Sequence, residues 1–276
     1  MKRIVSIQDI SCLGKCSLTV ALPIISAMGV ECSIVPTAVL STHTMFQNFT
    51  CKDLTDQIGP IAAHWKAEKL GFDAIYTGYL ASKEQIGDVC AFFDQFKTEN
   101  NLIVVDPVMA DNGKLYPAFG EDFPAEMAKV CAKADLIVPN LTEASLLTGL
   151  PYKTEYDEDY IRQMLQALAK LGPRYVALTG VSFEKGKLGV MYYDQQTGQY
   201  GSYFAEHLPA SFHGTGDVFA STCVGALMRG KSLGDALALA ADYTVECIRA
   251  TLASADHAWY GVDFETAIPY LVDRLR

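Results

Sequence analysis

The sequence predicts an α/β fold: a mostly parallel central sheet covered by helices on both faces, with antiparallel strands at one edge. Short apolar runs alternate with amphipathic segments of about 10–15 residues, the pattern of successive βαβ units. Two runs, 187–193 and 199–204, bracket the turn-like segment Asp194–Gly198 and are typical of a hairpin. No repeat, linker or low-complexity stretch divides the chain, so we expect a single domain over residues 1–276.

The predicted strands are short apolar runs bounded by polar or turn-forming residues. Besides the hairpin, they cover residues 3–8, 31–40, 73–79, 102–105, 136–138 and 175–178. Helical periodicity predicts helices at 17–28, 83–97, 142–148 and 158–171. Beyond Gly214 nearly all of the chain is predicted to be helical, at 215–229, 232–253 and 263–274.

Charge and apolar content limit the possible functions. The chain has 22 Lys and Arg residues against 32 Asp and Glu, a net charge of −10 at pH 7, and half of its residues are hydrophobic. This composition excludes a largely disordered chain and offers no basic stripe for nucleic acid. No apolar run reaches the roughly 18 residues that span a bilayer, no signal peptide is evident, and the eight cysteines are scattered. We therefore expect a cytoplasmic protein that binds neither nucleic acid nor membrane.

The segment Gly214-Thr215-Gly216-Asp217 opens a long apolar helix and carries the strongest chemical signal. Its two glycines allow a tight turn whose free N–H groups point outward at a helix N-terminus, where anions bind. A carboxylate beside a bound anion is unfavourable unless it has a task, such as accepting the proton of a hydroxyl group. Asp217 is therefore a candidate catalytic base, and the alternative is that it only complements the helix dipole.

Polar side chains follow most of the predicted strands. They are Asp9, Tyr79, Asp106, Asn140 and Thr179. Because parallel strands present their carboxyl ends at one edge of the sheet, and ligands bind there, we expect these side chains to converge.

Asn140 and Glu143 begin a predicted helix and allow two interpretations. Asn at the cap and Glu at the third helical position form a variant of the capping box, which satisfies free N–H groups of the first turn. Alternatively, their oxygen atoms hold a water-bound Mg²⁺ near a polyphosphate. Taken alone, the pair favours capping.

Two nucleotide-binding motifs are excluded. Residues 14–17 (GKCS) resemble the end of a P-loop, but Asp9 stands where the first glycine belongs and Cys16 replaces the hydroxyl residue that binds Mg²⁺. Residues 214–219 lack the third small residue of the dinucleotide fingerprint, because Phe219 occupies its position.

Taken together, the motifs resemble the ribokinase superfamily, and more closely its pyridoxal kinases. The resemblance covers nearly the whole chain, and its joint motifs are more specific than any one of them. They are S-x-H-T at 41–44, T-G-Y-L at 77–80, D-P-V-M at 106–109, P-N-L-T-E at 139–143 and G-T-G-D at 214–217.

This resemblance implies a three-layer, ribokinase-like fold and transfer of the γ-phosphoryl group of ATP to the 5′-hydroxymethyl group of a vitamin B6 vitamer. In such kinases the residue matching Asp217 is the base, and the amides of Gly214–Gly216 stabilise the transferring phosphoryl group. Asp106, Asn140 and Glu143 match positions around ATP and Mg²⁺, the last two reaching the ion through water.

The resemblance also implies a substrate pocket and an assembly. Thr179 matches a position near the nucleotide. His43, Thr44 and Tyr79 match residues around the pyridine ring. Kinases of this kind are commonly homodimers, so a homodimer is expected here.

One position departs from the pyridoxal kinase pattern. Those kinases usually carry Ser after I-Q in the first strand, against the pyridine ring, and this chain carries Asp9. A carboxylate there suits a protonated ring nitrogen, a ligand ammonium or a different ring. Two alternatives therefore stay open: a hydroxymethylpyrimidine or other small-alcohol kinase of the same fold, and a catalytically silent binding protein.

Overall fold

The structure of the protein is a computed structural model that describes residues 1–275. Its strands are β1 (Arg3–Ser11), β2 (Glu31–Leu40), β3 (Cys51–Asp53), β4 (Ala74–Thr77), β5 (Leu102–Val105), β6 (Ala110–Asp111), β7 (Lys114–Leu115), β8 (Leu136–Ile137), β9 (Tyr175–Val181), β10 (Lys187–Asp194) and β11 (Gln199–Glu206). Its helices are α1 (Leu18–Ala27), α2 (Thr55–Ala67), α3 (Lys83–Phe96), α4 (Phe123–Cys131), α5 (Leu141–Thr148), α6 (Glu158–Ala169), α7 (Thr215–Met228), α8 (Leu233–Ala253) and α9 (Phe264–Asp273).

Nine of these strands form one sheet in the order β11-β10-β9-β8-β5-β4-β1-β2-β3. The six central strands, from β9 to β2, pair in parallel. The hairpin β10–β11 closes one edge and β3 closes the other, both in antiparallel pairing. The predicted α/β class, with its antiparallel edge, is confirmed, and β3 adds a second antiparallel edge that was not predicted.

Two apolar layers hold helices against the sheet. One layer contains Ile58, Phe92, Met127 and Leu165 from α2, α3, α4 and α6, all buried beneath the sheet. The other contains residues of α1, α7, α8 and α9 on the opposite face. Burial on both faces explains why the innermost strands β5 and β8 are continuously apolar rather than alternating. No helix within residues 1–275 has the length and apolar character to cross a membrane.

The structure corrects several predicted boundaries and adds elements. β1 continues to Ser11 and β9 to Val181, so Asp9 and Thr179 lie inside strands rather than after them. Helix α2 was not predicted, since it contains Gly59 and Pro60, which usually interrupt helices. The β6–β7 hairpin and α4 were not predicted either.

The site lies where the strand order reverses. The chain passes from β1 to β2 on one side, and β4 pairs with β1 on the other side. The loops beyond the carboxyl ends of these strands separate at that point and leave a crevice for a ligand.

Candidate functional site

Asp9 lies at an irregular point of β1, close to its carboxyl end. The pairing with β2 shifts register between Gln8 and Ile10, which leaves Asp9 opposite an extra residue of β2. Its side chain is only 5% exposed, and it accepts hydrogen bonds from Ser17 Oγ at 2.7 Å and from Ser11 Oγ at 3.3 Å. Burial raises the pKa of the Asp9 carboxyl, although these two bonds oppose the rise. Asp9 is therefore a buried acid that is only partly compensated by neutral donors.

The loop before α7 has the geometry of an anion site. Gly214 is the N-cap of α7 with φ 82°, a left-handed conformation that favours glycine. The N–H groups of Thr215 and Gly216 belong to the first turn, so no acceptor inside the helix satisfies them. The Thr215 hydroxyl donates to the Phe212 carbonyl at 3.2 Å, which fixes the preceding turn. Backbone donors and the positive end of the α7 dipole thus meet at one point.

Asp217 stands in the first turn of α7, next to this loop. The backbone N–H of Ser17 lies beside its carboxylate and favours the charged form, which opposes the rise in the pKa of Asp217. Burial is the main cause that raises the pKa of Asp217 to about 7, and the nearby Asp9 carboxylate raises it further. An acid with a pKa near 7 can take up and release a proton under physiological conditions.

A second carboxylate faces the same loop. Asp106 comes directly after β5 and is buried, with an oxygen 4.0 Å from where a Cβ on Gly216 would lie. Burial, together with the charges of Glu143 and Asp217, raises the pKa of Asp106 well above its ordinary range. Within residues 1–275 none of these three acids takes part in an ion pair. The cluster therefore holds more negative charge than its protein surroundings balance.

Asn140 and Glu143 form a complete capping box at the start of α5. Asn140 Oδ1 accepts from the N–H groups of Thr142 and Glu143, and Glu143 Oε2 accepts from the Asn140 N–H at 2.8 Å. Glu143 Oε1 accepts from the Met109 N–H at 3.1 Å, and Asn140 Nδ2 donates to the Ala110 carbonyl at 2.9 Å. The pair thus ties α5 to the segment after Asp106.

Asn140 and Glu143 can cap α5 and still accept a hydrogen bond from a ligand or a water molecule. Burial raises the pKa of Glu143 to about 8, although its backbone donors oppose the rise. Backbone groups of Asn140, Met109 and Ala110 all favour its charged form, and because a carboxylate has four lone pairs, at least one is left to accept from a water molecule. The expected contact with Mg²⁺ through water therefore stays a prediction.

The acidic cluster fits a divalent cation that also binds phosphate. Among the described residues, no three His, Cys, Asp or Glu side chains are arranged to hold a metal ion by themselves. Mg²⁺ rarely needs such a cage, because it keeps several waters and takes one or two carboxylates together with phosphate oxygens. Buried acids such as Asp106, which forms no ion pair in the described part of the chain, suit that role.

Thr179 lies beside this cluster on the next strand. Its backbone N–H donates to the Pro139 carbonyl at 2.9 Å, and its hydroxyl reaches the same oxygen at 3.3 Å. It also forms an isolated β-bridge with Asn140. Thr179 therefore lies at the same sheet edge as Asn140, but inside β9.

The residues predicted around the ring lie near Asp9. Burial raises the pKa of Tyr79 to about 12, and the nearby charge of Asp9 contributes to the rise. The same charge opposes the fall in the pKa of His43 that burial causes. The ring of Tyr79 packs against Phe119 at 5.5 Å between centroids. Thr44 is exposed. Asp9 thus lies close enough to His43 and to Tyr79 for its charge to act on both, and a shared ring pocket stays a prediction.

His43 is held as a neutral side chain by two backbone groups. Its Nδ1 accepts from the Met45 N–H at 3.2 Å, and its Nε2 lies 3.0 Å from the Tyr260 carbonyl. Since a carbonyl only accepts, the proton is on Nε2. Burial lowers the pKa of His43, and its ring centroid lies 4.5 Å from that of His213. His43 can therefore offer a ligand its ring but no free nitrogen.

Residues 12–17 form a loop that connects these parts. Gly214 packs on this loop so closely that a Cβ would lie 1.8 Å from the Lys15 carbonyl oxygen. The Lys15 ammonium pairs with Asp263 at 2.7 Å and with Glu265 at 2.9 Å. These ion pairs fix loop 12–17 between the anion site and the start of α9.

Several residues of the site were missed from sequence. The sequence indicates Ser17 only as the start of a helix and gives no sign of Tyr116. Burial raises the pKa of the Tyr116 hydroxyl, and the charges of Glu143, Asp106 and Asp217 raise it further. His213 was noted only as the neighbour of the glycine motif, yet burial lowers its pKa to about 4. A serine before a helix and a tyrosine in a loop are too common to indicate a site.

Comparisons with known proteins show the family to which the chain belongs. The family model described as phosphomethylpyrimidine kinase matches residues 22–260. A candidate phosphomethylpyrimidine kinase from Bacteroides thetaiotaomicron, crystallised with pyridoxal, is 41% identical, with a TM-score of 0.92 over 98% of this chain and 95% of that one.

Two pyridoxal kinases are also similar. The crystal structure of the enzyme from Lactobacillus plantarum is 32% identical, with a TM-score of 0.90 over 99% of this chain and 97% of that one. The enzyme from Pasteurella multocida is 30% identical over 84% of this chain and 83% of its own length. The chain belongs to the phosphomethylpyrimidine kinase family and is a pyridoxal kinase-like member of the ribokinase superfamily.

Proposed function

We propose that the protein transfers the γ-phosphoryl group of ATP to the 5′-hydroxymethyl group of a vitamin B6 vitamer. The observation that carries the proposal is the position of Asp217. It stands in the first turn of α7 beside the backbone donors of Thr215 and Gly216, and it is close enough to Asp9 for the charge of that carboxylate to raise its pKa. Phosphoryl transfer to a hydroxymethyl group on a ring requires an anion site for the phosphates, a base beside it and a pocket for the ring.

Asp217 is proposed as the base that accepts the hydroxyl proton. The substrate oxygen forms a bond to the γ-phosphorus, the bond between that phosphorus and the bridging oxygen of ADP breaks, and the proton passes to the carboxylate. Because burial raises the pKa of Asp217 to about 7, the carboxylate is basic enough to take the proton as the bond forms. The amides of Gly214–Gly216 stabilise the charge on the transferring oxygens.

The acids on the nucleotide side are proposed to receive Mg²⁺ with ATP. When bound, the ion neutralises phosphate charge and orients the phosphoryl group. Asp106 faces the anion site directly, whereas Asn140 and Glu143 are placed to bind through water. Thr179, bridged to Asn140, is proposed to contact the nucleotide.

The ring side of the pocket is proposed to select the substrate. Within residues 1–275 Asp9 takes part in no ion pair, so a protonated ring nitrogen or a substrate ammonium is its best ligand. Tyr79 and the ring of His43 provide the apolar walls, and Thr44 lies at the rim. The relative crystallised with pyridoxal and the two pyridoxal kinases support a B6 vitamer as the substrate.

A hydroxymethylpyrimidine kinase is the second candidate, because the matching family model and the Bacteroides thetaiotaomicron relative carry the phosphomethylpyrimidine kinase description. The test is a panel of pyridoxal, pyridoxamine, pyridoxine and hydroxymethylpyrimidine, each incubated with ATP and Mg²⁺ and analysed for phosphorylated product. We expect product from at least one vitamer, and the Asp217→Asn variant controls for a contaminating kinase. Product from hydroxymethylpyrimidine alone would overturn the proposal.

We also propose a homodimer in the cytoplasm, as the pyridoxal kinase resemblance implies. Sedimentation equilibrium of the purified protein tests the homodimer. Protein concentrations from about 1 to about 50 μM cover the usual range of dimer affinities. Fractionation of the source cells tests the cytoplasmic location.

A further inference from the structure

Ser17 occupies the N-cap of α1 without acting as a cap. An N-cap serine normally has extended backbone angles, and its oxygen accepts from an N–H of the first turn. Ser17 instead has φ 52° and ψ −134°, and its side chain makes no capping bond. This conformation favours glycine, so a serine here carries backbone strain. The strain requires compensation from contacts that the serine makes elsewhere.

Those contacts are with two acids from distant parts of the chain. The Ser17 hydroxyl donates to Asp9 Oδ1 at 2.7 Å, and the Ser17 N–H lies beside the carboxylate of Asp217, where it favours the charged form and lowers the pKa of that group. Ser17 is only 5% exposed, so water does not compete well with either interaction. One residue thus touches both the acid of the ring pocket and the acid beside the anion site.

We propose that Ser17 is a positioning residue that couples Asp9 to Asp217, so that a cationic substrate bound at Asp9 also favours the productive arrangement of Asp217. The inference rests on the proposed function and extends it to substrate choice. Asp9 and Asp217 repel each other when both are ionised. A cation on Asp9 reduces that repulsion, and Ser17 fixes the distance over which the effect acts.

Loop 12–17 is held firmly enough for this role. The Lys15 ammonium is anchored by Asp263 and Glu265, and Thr19 Oγ1 donates to the Cys16 carbonyl at 2.7 Å. Gly214 lies against the Lys15 backbone, so the loop and the start of α7 cannot move independently. A shift of Ser17 therefore displaces the donors of both acids together.

The test is a set of four enzymes: wild type, Ser17→Gly, Asp9→Ser and the double variant. The quantity compared is the ratio of kcat/KM for pyridoxamine, which carries an ammonium group, to kcat/KM for pyridoxal. Ser17→Gly keeps the N–H donor, removes the hydroxyl and relieves the strain. We expect it to lower the ratio by about tenfold, the scale of one charge-assisted hydrogen bond.

The effect of Ser17→Gly is measured both in the wild type and in the Asp9→Ser variant, and the comparison distinguishes coupling from a merely structural role. With Asp9 already replaced by Ser, the hydroxyl has lost its carboxylate partner, so Ser17→Gly should change the ratio by less than about twofold. An equal loss for both vitamers, or the same change of ratio in both backgrounds, would overturn the coupling.

Two further variants control for stability. Ser17→Ala also removes the hydroxyl but keeps the strained backbone, so it should melt below Ser17→Gly while lowering the ratio equally. Ser232→Gly removes an ordinary N-cap serine from α8 and should leave the ratio unchanged. Differing ratios for the Ala and Gly variants would contradict the proposal. A wild-type enzyme that phosphorylates no vitamer overturns the proposed function itself, whereas an active enzyme with an unmoved ratio overturns only the coupling.

Discussion

The carbonyl oxygen of Lys15 occupies the space that a side chain on Gly214 would need. A Cβ there would lie 1.8 Å from this oxygen. Backbone contact of this kind joins loop 12–17 to the anion site without any side-chain bond, and it leaves glycine as the one residue that fits at position 214.

Gly214→Ala should therefore lose both stability and activity. We expect the free energy of unfolding in urea to fall by about 2–4 kcal/mol, because the left-handed conformation and the backbone clash both oppose a Cβ. Gly230→Ala is the matched control, since Gly230 has φ 84° but no atom within 4 Å of its Cβ position. Equal losses in the two variants would show that the contact with Lys15 is unimportant.

Replacing the proposed base tests the chemistry. Asp217→Asn should lower kcat by at least about 100-fold, the lower range for loss of a general base, and leave vitamer binding by calorimetry nearly unchanged. The fold should persist because Asn also suits the first turn of a helix. Turnover within a few-fold of wild type would reduce Asp217 to a helix-dipole residue.

The same acid predicts the pH dependence of the enzyme. The pKa of Asp217 is raised to about 7 by burial, so kcat/KM should rise with pH and level off above about pH 7 as the carboxylate forms. In the complex with ATP and Mg²⁺ the rise in kcat should shift to lower pH, because a nearby cation favours the ionised form. Initial rates between pH 5.5 and 9 (about the range that spans this titration) measure both profiles, and superimposable profiles would contradict the assignment.

Stability should respond to pH in the opposite sense. The folded-state pKa of Asp217 is higher than the unfolded value of about 4. The contribution of this group to stability is then complete below about pH 4 and is lost as pH rises through about 7. Without ligand, the Tm of Asp217→Asn should be higher than that of the wild type at pH 8, and this difference should disappear near pH 5. A difference in Tm that is constant with pH would argue against the raised pKa.

Glu143→Gln separates capping from metal binding. The amide nitrogen of the new glutamine cannot accept from a backbone N–H, so one of the bonds to Asn140 or Met109 is lost. The free energy of unfolding should therefore fall by about 1–2 kcal/mol. If the water-mediated contact exists, the Mg²⁺ concentration for half-maximal turnover should rise as well. Asp157→Ala, which removes the cap of α6, controls for capping loss alone. An unaltered Mg²⁺ requirement would leave Glu143 with the structural role only.

Asp9→Ser tests the departure from the pyridoxal kinase pattern. The wild-type preference should lie toward pyridoxamine, because Asp9 is buried and forms no ion pair among the described residues. The substitution should shift the pyridoxamine-to-pyridoxal ratio of kcat/KM toward pyridoxal by about 1–2 kcal/mol, roughly 5- to 30-fold. A flat ratio would mean that Asp9 does not face the substrate.

The fold was largely predictable because its signals are local. Strands β2 and β5 and helix α5 follow their predicted bounds to within one residue. Burial on both faces gives β5 its continuous apolar run, and the capping box marks the start of α5. The missed elements had weak or contrary signals: α2 contains Gly59 and Pro60, and β3 is three exposed residues that pair only because β2 is beside them.

The site was predictable only where one segment carries the information. The turn of Gly214–Gly216 and the cap of Asn140 follow from residue type and spacing, so they could be predicted. The double contact of Ser17 could not, because it depends on a register shift in β1 and on packing against α7. Whether Glu143 caps, binds metal or does both also depends on partners that local sequence does not specify.

The ion pairs of Lys15 connect the first loop of the fold to residues made near the end of synthesis. Lys15 is 248 residues from Asp263 and 250 from Glu265, and these two acids bind the loop that contains Ser17. Every predicted site residue has been synthesised once Asp217 is made, but Asp263 and Glu265 have not. A product cut short before Asp263 would thus carry the whole set of predicted site residues without the two acids that anchor loop 12–17.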